Sequence, residues 1–402
     1  MEARPRILVL SSLFPSSVRP QAGLFIRERM FRVARHLPLV VVSPQPWFPL
    51  QGMIRGFVPH FRPQVADDYE EQAGIAVYYP KFFSVPGAFK GLDGTWMALG
   101  CIPCLSRLKK EPGFDLIDAH FAYPDGYAAV QLGRKFGVPV TITLRGTEVP
   151  LSRDPIRRLK ILKALSGATW VFSVSESLKK HVVALGAPSD KIEVIGNGVD
   201  VSKFYPLPKQ QARAALNIPQ NAQVLISVGA LVPRKGQQRV IEILPRLLRA
   251  YPNLLYLVVG GASPEGDMRE RLLAQVGRLG LEKHVRFLGA LPPEQLKLPV
   301  SAADVFVLAT ANEGWANVFL EAMACGLPVV TTDVGGNREV VCRKELGIVV
   351  PFGDPVALET ALAEALRRKW DREAIIAHAQ ENAWEKRVGR LVERFQKIAG
   401  TS

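Results

Sequence analysis

Residues 303–341 read ADVFVLATANEGWANVFLEAMACGLPVVTTDVGGNREVV, and the order of residue types in this stretch sets the fold class. An apolar run ending at Thr310 has the composition of a buried strand, a turn containing Gly314 follows, and Asn317 opens a helical pattern that leads to a second apolar run, LPVV. Strand, turn, helix and strand in that order make the βαβ unit of a parallel sheet. The unit places loop amides and a helix N-terminus at the carboxyl edge of the sheet, where free N–H groups and the positive end of the helix dipole suit a diphosphate. Glu313 lies in the turn and Glu321 on the helix. One could face a sugar while the other reaches the hydroxyls of a ribose, because a carboxylate accepts from two donors. Taken alone, two such glutamates read more often as solvated surface charge.

The same alternation runs outward in both directions. RILVL, LVVVS, DLIDAH, VTITLRG, WVFSVS and KIEVIGNG precede the stretch, and QVLISVGAL, LLYLVVGG, VRFLGAL and GIVVPFGD complete the set, with helical pattern between most of them. Twelve candidate strands exceed one mononucleotide-binding fold and predict an α/β chain of two Rossmann-like, doubly wound domains. VSKFYPLPKQQ, with two prolines, separates them and gives domains 1–204 and 205–381. Residues 44–94, rich in Pro, Gly, Phe and Trp, break the alternation and read as an irregular insertion. EKRVGRLVERFQKI places Val388, Leu391, Val392, Phe395 and Ile398 on one face of a terminal helix, 382–400, which some domain must bury.

Composition bounds the remaining choices. The chain has 402 residues, 48% hydrophobic and 22% charged, with a net charge of +14 and a pI near 9.7. That balance points to anionic partners: nucleic acid, acidic lipid or phosphorylated small molecules. Four cysteines, Cys101, Cys104, Cys325 and Cys342, form no disulfide framework, and the single C-x2-C of Cys101 and Cys104 has no second pair, so buried thiols in a reducing compartment are expected. MEARPRILVLSSLFP has the outline of a signal peptide, but its apolar run is short and lacks a small-x-small cleavage site. It reads as the first strand. No apolar stretch approaches the roughly 20 residues that span a bilayer.

EGWANVFLE has the form E-x(7)-E, and with this neighbourhood the sequence resembles glycosyltransferase family 4. LFPSSVRPQAGLF, DAHFAYPDG, TLRGTE, SVSES, VIGNGVD, VGALVPRKG and DVGGNREVV carry the resemblance over nearly the whole chain in the family's order. It implies a GT-B fold, two Rossmann-like domains facing across a cleft, with the donor bound mainly by the C-terminal domain and the acceptor mainly by the N-terminal one. The terminal helix would pack back on the first domain. The implied activity is retaining transfer of a hexose from a nucleotide-diphosphate sugar to a saccharide or lipid-linked acceptor, in polysaccharide or glycolipid assembly, with no cofactor and no metal.

Residue by residue, the resemblance assigns Glu313 to the donor sugar and Glu321 to the ribose, with the amides of Gly314, Trp315, Ala316, Asn317 and Val318 around sugar and phosphate. Lys235 matches the family lysine. Where many relatives carry an arginine after the first glycine of VGALVPRKG this chain has Ala230, and Arg234 is the candidate substitute; both cations could neutralise a departing nucleoside diphosphate. His120 matches the histidine of DAHFAYPDG and is expected near the anomeric centre. Gly23 matches the glycine that lets backbone approach phosphate or acceptor, with plain turn geometry as its other explanation. Arg145 and Glu148 are candidate acceptor contacts, although many relatives carry aspartate at the latter position. Asn197 and Asp200 in GNGVD read as a structural turn.

Residues 1–204 hold about nine of the fourteen excess positive charges. In IRERMFRVARHL, Ile26, Met30, Val33, Ala34 and Leu37 alternate with Arg27, Arg29, Arg32 and Arg35, a pattern that fits an anionic membrane surface or an ordinary packed helix with a basic face. No nucleic-acid motif accompanies the charge, and no nucleic acid partner is expected. The expected location is cytoplasmic, with the inner membrane face left open as a docking surface. Three other readings compete: a catalytically silent nucleotide-sugar-binding scaffold, another GT-B enzyme such as an epimerase or phosphorylase, and a nicotinamide dehydrogenase. The last lacks G-x-G-x-x-G after its first strand.

Overall fold

The computed structural model describes residues 4–20, 22–49, 51–53, 67–263 and 265–400. The chain separates into two compact units, Met1–Asn197 with Arg387–Ser402, and Gly198–Lys386. Sequence reading put the first crossing at 204/205. Val199 and Phe204 instead pack into the core of the second unit, so apolar burial carries the boundary upstream of the two prolines.

All twelve apolar runs form strands. In the first unit the sheet order is Ile192–Val194, Trp170–Ser173, Val140–Leu144, Leu116–His120, Ile7–Leu10, Leu39–Val42, Ile75–Tyr78 and Tyr69–Gln72. All neighbours in it are parallel except the last pair. In the second unit the order is Val285–Gly289, Leu255–Val259, Val224–Val228, Val305–Leu308, Val329–Thr332 and Gly347–Val350, parallel throughout. Numbered along the chain, the second sheet reads 3-2-1-4-5-6. Its first and fourth strands are neighbours whose connections leave in opposite directions, and this divergence opens a crevice at their carboxyl ends. The first unit repeats the device between Ile7–Leu10 and Leu116–His120. The central strands read as unbroken apolar runs because helices cover both faces.

Local chemistry sets the helix ends. Asp154 accepts from the Arg157 amide with Pro155 at the first helical position, Ser175 accepts from Leu178, and Asp354 from Ala357. The helix Asn317–Ala324 begins at the expected residue, but its N-terminal Ala316 offers no side-chain cap.

The described part of the expected irregular insertion is ordered, and that reading is corrected. Tyr69–Gln72 and Ile75–Tyr78 form an antiparallel hairpin that extends the first sheet, and Gln45–Trp47 pairs in parallel with Lys81–Phe83. These strands are three or four residues long, and Tyr69–Gln72 and Lys81–Phe83 sit at sheet edges, so YEEQ and KFF carry no continuous apolar run to announce them. Residues 50 and 54–66 of that segment, with 1–3 of the leader-like N-terminus, lie outside the described residues.

The terminal helix, Trp384–Gly400, meets the first unit through its apolar stripe. Phe395 is fully buried against Phe172, ring centroids 5.7 Å apart and perpendicular. Arg390 and Arg394 both reach Glu193 at 2.9 Å, and Arg394 stacks on Trp170. In the N-terminal helix Leu24–Val33, Ile26, Met30 and Val33 are buried, and so are Arg29 and Arg32. Ile26, Met30 and Val33 face the unit's own core. Phe395→Ala removes a ring from a filled core and is expected to cost about 3–5 kcal/mol; a lowered urea midpoint for the first unit checks this.

Candidate active site

The two switch points gather the residues that the sequence singled out. In the second unit the loop after Val224–Val228 carries Arg234 and Lys235, and the loop after Val305–Leu308 carries Glu313. Adjacent strands therefore bring together residues 78 positions apart in sequence. Lys235 Nζ donates to Glu313 Oε1 at 2.5 Å, Arg234 Nη1 approaches the same oxygen at 3.3 Å, and Thr310 Oγ1 lies 3.3 Å from it. Glu313 is 9% exposed and Lys235 14%, so their pairing is shielded from water and stronger than a surface contact.

Backbone approach fixes this cluster. Gly236 lies at φ +86, and a Cβ there would come within 2.0 Å of the Ala309 carbonyl. Gly335, at φ +51, passes so close to the Glu313 carbonyl that a Cβ would sit 1.7 Å from it. The GG of DVGGNREVV thus closes over the Glu313 turn from the neighbouring strand–helix loop, and the Gly336 amide donates to the Glu313 carbonyl at 3.4 Å. Arg234 has a second carboxylate that the sequence did not disclose. Glu265 accepts from its Nε and Nη2, both at 2.7 Å, and these bonds raise the guanidinium pKa above its usual value. Glu265 comes from the loop after Leu255–Val259, and no spacing in the sequence links it to Arg234.

Gly314 to Val318 run from the Glu313 turn into the uncapped N-terminus of Asn317–Ala324, so backbone amides and the helix dipole stand beside Lys235 and Glu313. Glu321 is half-buried one turn into that helix. Burial, with a contribution from Glu321, pushes the Cys325 thiol up to about 12.

The first unit has its own cluster at the end of Leu116–His120. His120 is 0% exposed. Its Nδ1 lies 3.0 Å from Arg145 Nη2, and Asp118 Oδ2 lies 3.5 Å from Nε2. Arginine only donates, so Nδ1 accepts and the ring proton is on Nε2. Burial and the positive charges of Arg145 and Arg29 hold the His120 pKa well below the ordinary value, so the ring is neutral. Asp118 accepts from Thr141 at 2.7 Å, and burial raises it to about 6. Asp118 and His120 stand two apart on one strand, hence on one face, a pairing visible in DLIDAH. Arg29, which burial lowers to about 10, joins them from the N-terminal helix.

Phe121, directly after His120, has φ +73. A bulky side chain there is strained and persists only where its surroundings enforce it. Glu148 is part of that enforcement: it accepts from the amides of Ala122, Arg145 and Gly146 at 3.0, 3.3 and 2.8 Å. Both its oxygens are engaged by the unit's own backbone, which makes it a holder of the His120 loop. Arg145 is held by Asn197 at 2.7 Å as well as by His120. Gly23 caps the first helix at φ +69, where a Cβ would lie 2.2 Å from the Leu13 carbonyl, so close packing against the loop after the first strand accounts for it. Asp200 closes a turn onto Ser202. Cys101 is buried and Cys104 half-buried, and among the described residues no three His, Cys, Asp or Glu side chains gather as a metal site.

Residues 28–203 match the model for Glycosyltransferase Family 4, and residues 208–382 match that for Glycosyl transferases group 1. The chain belongs to glycosyltransferase family 4. It is 28% identical over 372 residues to TuaC of Bacillus subtilis (strain 168), a glycosyltransferase named for teichuronic acid biosynthesis, covering 90% of this chain and 88% of that one. With the D-inositol 3-phosphate glycosyltransferase of Thermomonospora curvata it shares 30% identity over 342 residues, 77% and 79% of the two chains. Among solved structures, sucrose-phosphate synthase from Thermosynechococcus elongatus aligns with a TM-score of 0.81 at 21% identity, covering 99% of this chain and 100% of that one. Anabaena HepE, solved with UDP-glucose, aligns at 0.72 and 19%, covering 98% and 100%. The glycosyltransferase therefore has the GT-B fold of two α/β units.

Two outcomes check this geometry. Gly335→Ala places a methyl group on the Glu313 carbonyl and is expected to cost about 1–3 kcal/mol from backbone strain alone, read as a lower Tm. The His120 ring of this glycosyltransferase is expected to stay neutral, with no shift of its nitrogen resonances between about pH 8 and pH 5, where a free imidazole gains its proton near 6.5.

Proposed function

We propose that this glycosyltransferase moves a hexose from a nucleoside-diphosphate sugar to a hydroxyl of a saccharide or lipid-linked acceptor, with retention at the anomeric carbon and without a metal ion. The observation that carries the reading is the shielded Lys235–Glu313 pair, 2.5 Å long, beside an uncapped helix N-terminus at the switch point of the second unit. The UDP-glucose held by HepE supports a nucleotide-sugar donor. The name of TuaC supports an acceptor from glycan assembly.

The pair is a charge arrangement poised for exchange. A diphosphate brings negative charge to Lys235, Arg234 and the amides of Gly314 to Val318, and it competes with Glu313 for the two cations. Glu313 is then freed to accept from sugar hydroxyls, while Glu321 takes those of the ribose. In the transfer step the bond from the anomeric carbon to the phosphate oxygen breaks, and a bond to the acceptor oxygen forms on the same face. The acceptor proton passes to the departing phosphate oxygen. Lys235 and Arg234 stabilise the negative charge that grows on that phosphate, a task a metal performs elsewhere. The four free thiols fit a reducing, cytoplasmic setting.

Turnover of a panel of UDP-, GDP- and ADP-sugars in EDTA, with and without candidate acceptors, tests the proposal. One donor is expected to turn over despite chelation, and Glu313→Ala and Lys235→Ala are each expected to lower its rate by about 10²–10³-fold. Strict metal dependence would overturn the mechanism, and donor binding with no turnover in any combination would favour a silent scaffold.

A further inference from the structure

Soluble helices bury one apolar stripe and show a polar one, but Asp93–Lys110 has two. Met97, Cys101, Leu105 and Leu108 face the core. On the opposite side Leu92, Trp96, Leu99 and Pro103 follow one another at helical spacing, and Leu99 is 60% exposed. The outer stripe continues onto neighbouring elements. Trp96 meets Phe83 edge-on at 4.9 Å, and Phe83 pairs with Trp47 across the small parallel ribbon, both rings exposed. Phe89 is 67% exposed at φ +53, so a bulky residue sits in a left-handed conformation without gaining burial. That is strain the fold itself does not repay.

The helix Pro155–Gly167 borders this face. Ile156 lies over Gly91, where a Cβ would come within 2.6 Å of it. Lys160 reaches Tyr127 at 2.9 Å, and the Tyr127 hydroxyl also bonds Thr95 on Asp93–Lys110. Ile156 and Leu159 are 61% and 52% exposed, one turn apart. Around them stand Arg153, Arg157, Arg158, Lys160 and Lys163, with Asp154 the one acid between residues 151 and 167. Half of the large hydrophobics exposed among the described residues belong to this single face.

We infer that this face docks the first unit on an anionic phospholipid leaflet, with Trp47, Phe89, Leu99, Ile156 and Leu159 entering the headgroup boundary. Aromatic and aliphatic side chains interspersed with lysine and arginine have the composition of a surface that lies in the interface. The cations favour acidic lipid over a second copy of this chain, whose matching face would repel it. No helix among the described residues is long and apolar enough to cross a membrane, so the contact is peripheral. It also differs from the N-terminal basic helix, whose Ile26, Met30 and Val33 are already buried. The inference stands apart from the transfer reaction and is read without donor or acceptor.

Flotation of the full chain with phosphatidylcholine vesicles, and with vesicles containing about 30% phosphatidylglycerol, tests it. Binding is expected to the anionic vesicles, weakened by 0.5 M salt. Leu99→Ser with Ile156→Ser, and separately Arg158→Glu with Lys163→Glu, are each expected to reduce it by about tenfold or more. Arg271→Glu with Arg278→Glu, an exposed pair in the second unit, makes the same charge change elsewhere and is expected to leave binding within about twofold. Unchanged melting curves confirm that the variants fold. Absence of binding, equal binding to neutral vesicles, or equal loss in the Arg271 and Arg278 variant would overturn the inference. A concentration-dependent dimer broken by the Leu99 and Ile156 variant would assign the face to a second copy instead.

Discussion

The reversal of strand order in each parallel sheet is the constraint on which the rest depends. A strand that feeds its successors in two directions cannot have both edges covered at its carboxyl end, so a crevice opens beside it whatever the side chains are. In the second unit that crevice lies between Val224–Val228 and Val305–Leu308, and the two loops that leave it carry opposite charges. Their meeting, Lys235 on Glu313, follows from topology. The glycines at 236 and 335 let backbone approach closely enough to hold the meeting in place. In the first unit the same reversal sets His120 at the rim of a crevice, and burial with two guanidinium groups keeps its ring neutral.

The strands were legible because parallel sheets are covered on both faces and must therefore be written as continuous apolar runs. The edge strand Tyr69–Gln72 was not, because an edge strand of four residues with one wet face needs no such run. The Lys235–Glu313 cluster was legible where residues keep a fixed local order, as in EGWANVFLE and VPRKG. Contacts were not legible where partners come from separate loops: Glu265 reaches Arg234 from 31 residues away, and Arg29 reaches the His120 cluster from a helix that reads as merely basic. Glu148 shows a further limit. A sequence gives a residue's place at a sheet edge, but not whether its oxygens turn to a ligand or to the amides of its own loop.

Charge misleads in the same way. IRERMFRVARHL invites a surface role, yet two of its arginines are interior, and the cations accompanied by exposed apolar side chains belong to Pro155–Gly167. Periodicity alone could not separate the two, since both helices show alternating apolar and basic residues. What distinguishes them is which stripe the rest of the unit covers.

The chain passes between the units twice, after Asn197 and again before Arg387. At the two crossings it touches itself: Val199 donates to the Asn382 carbonyl at 3.1 Å, Trp384 donates to the Val199 carbonyl at 3.1 Å, and Val199 and Ala383 form a parallel bridge. The second unit is thus an insertion whose ends lie side by side, closed by its own latch. An insertion of this kind can be exchanged as one contiguous cassette, with a single pair of splice points, while the host unit keeps its closing helix. Recombination between relatives could then pair a new second unit with an old first unit in one event. That gives a structural route to the range of names borne by chains of this family.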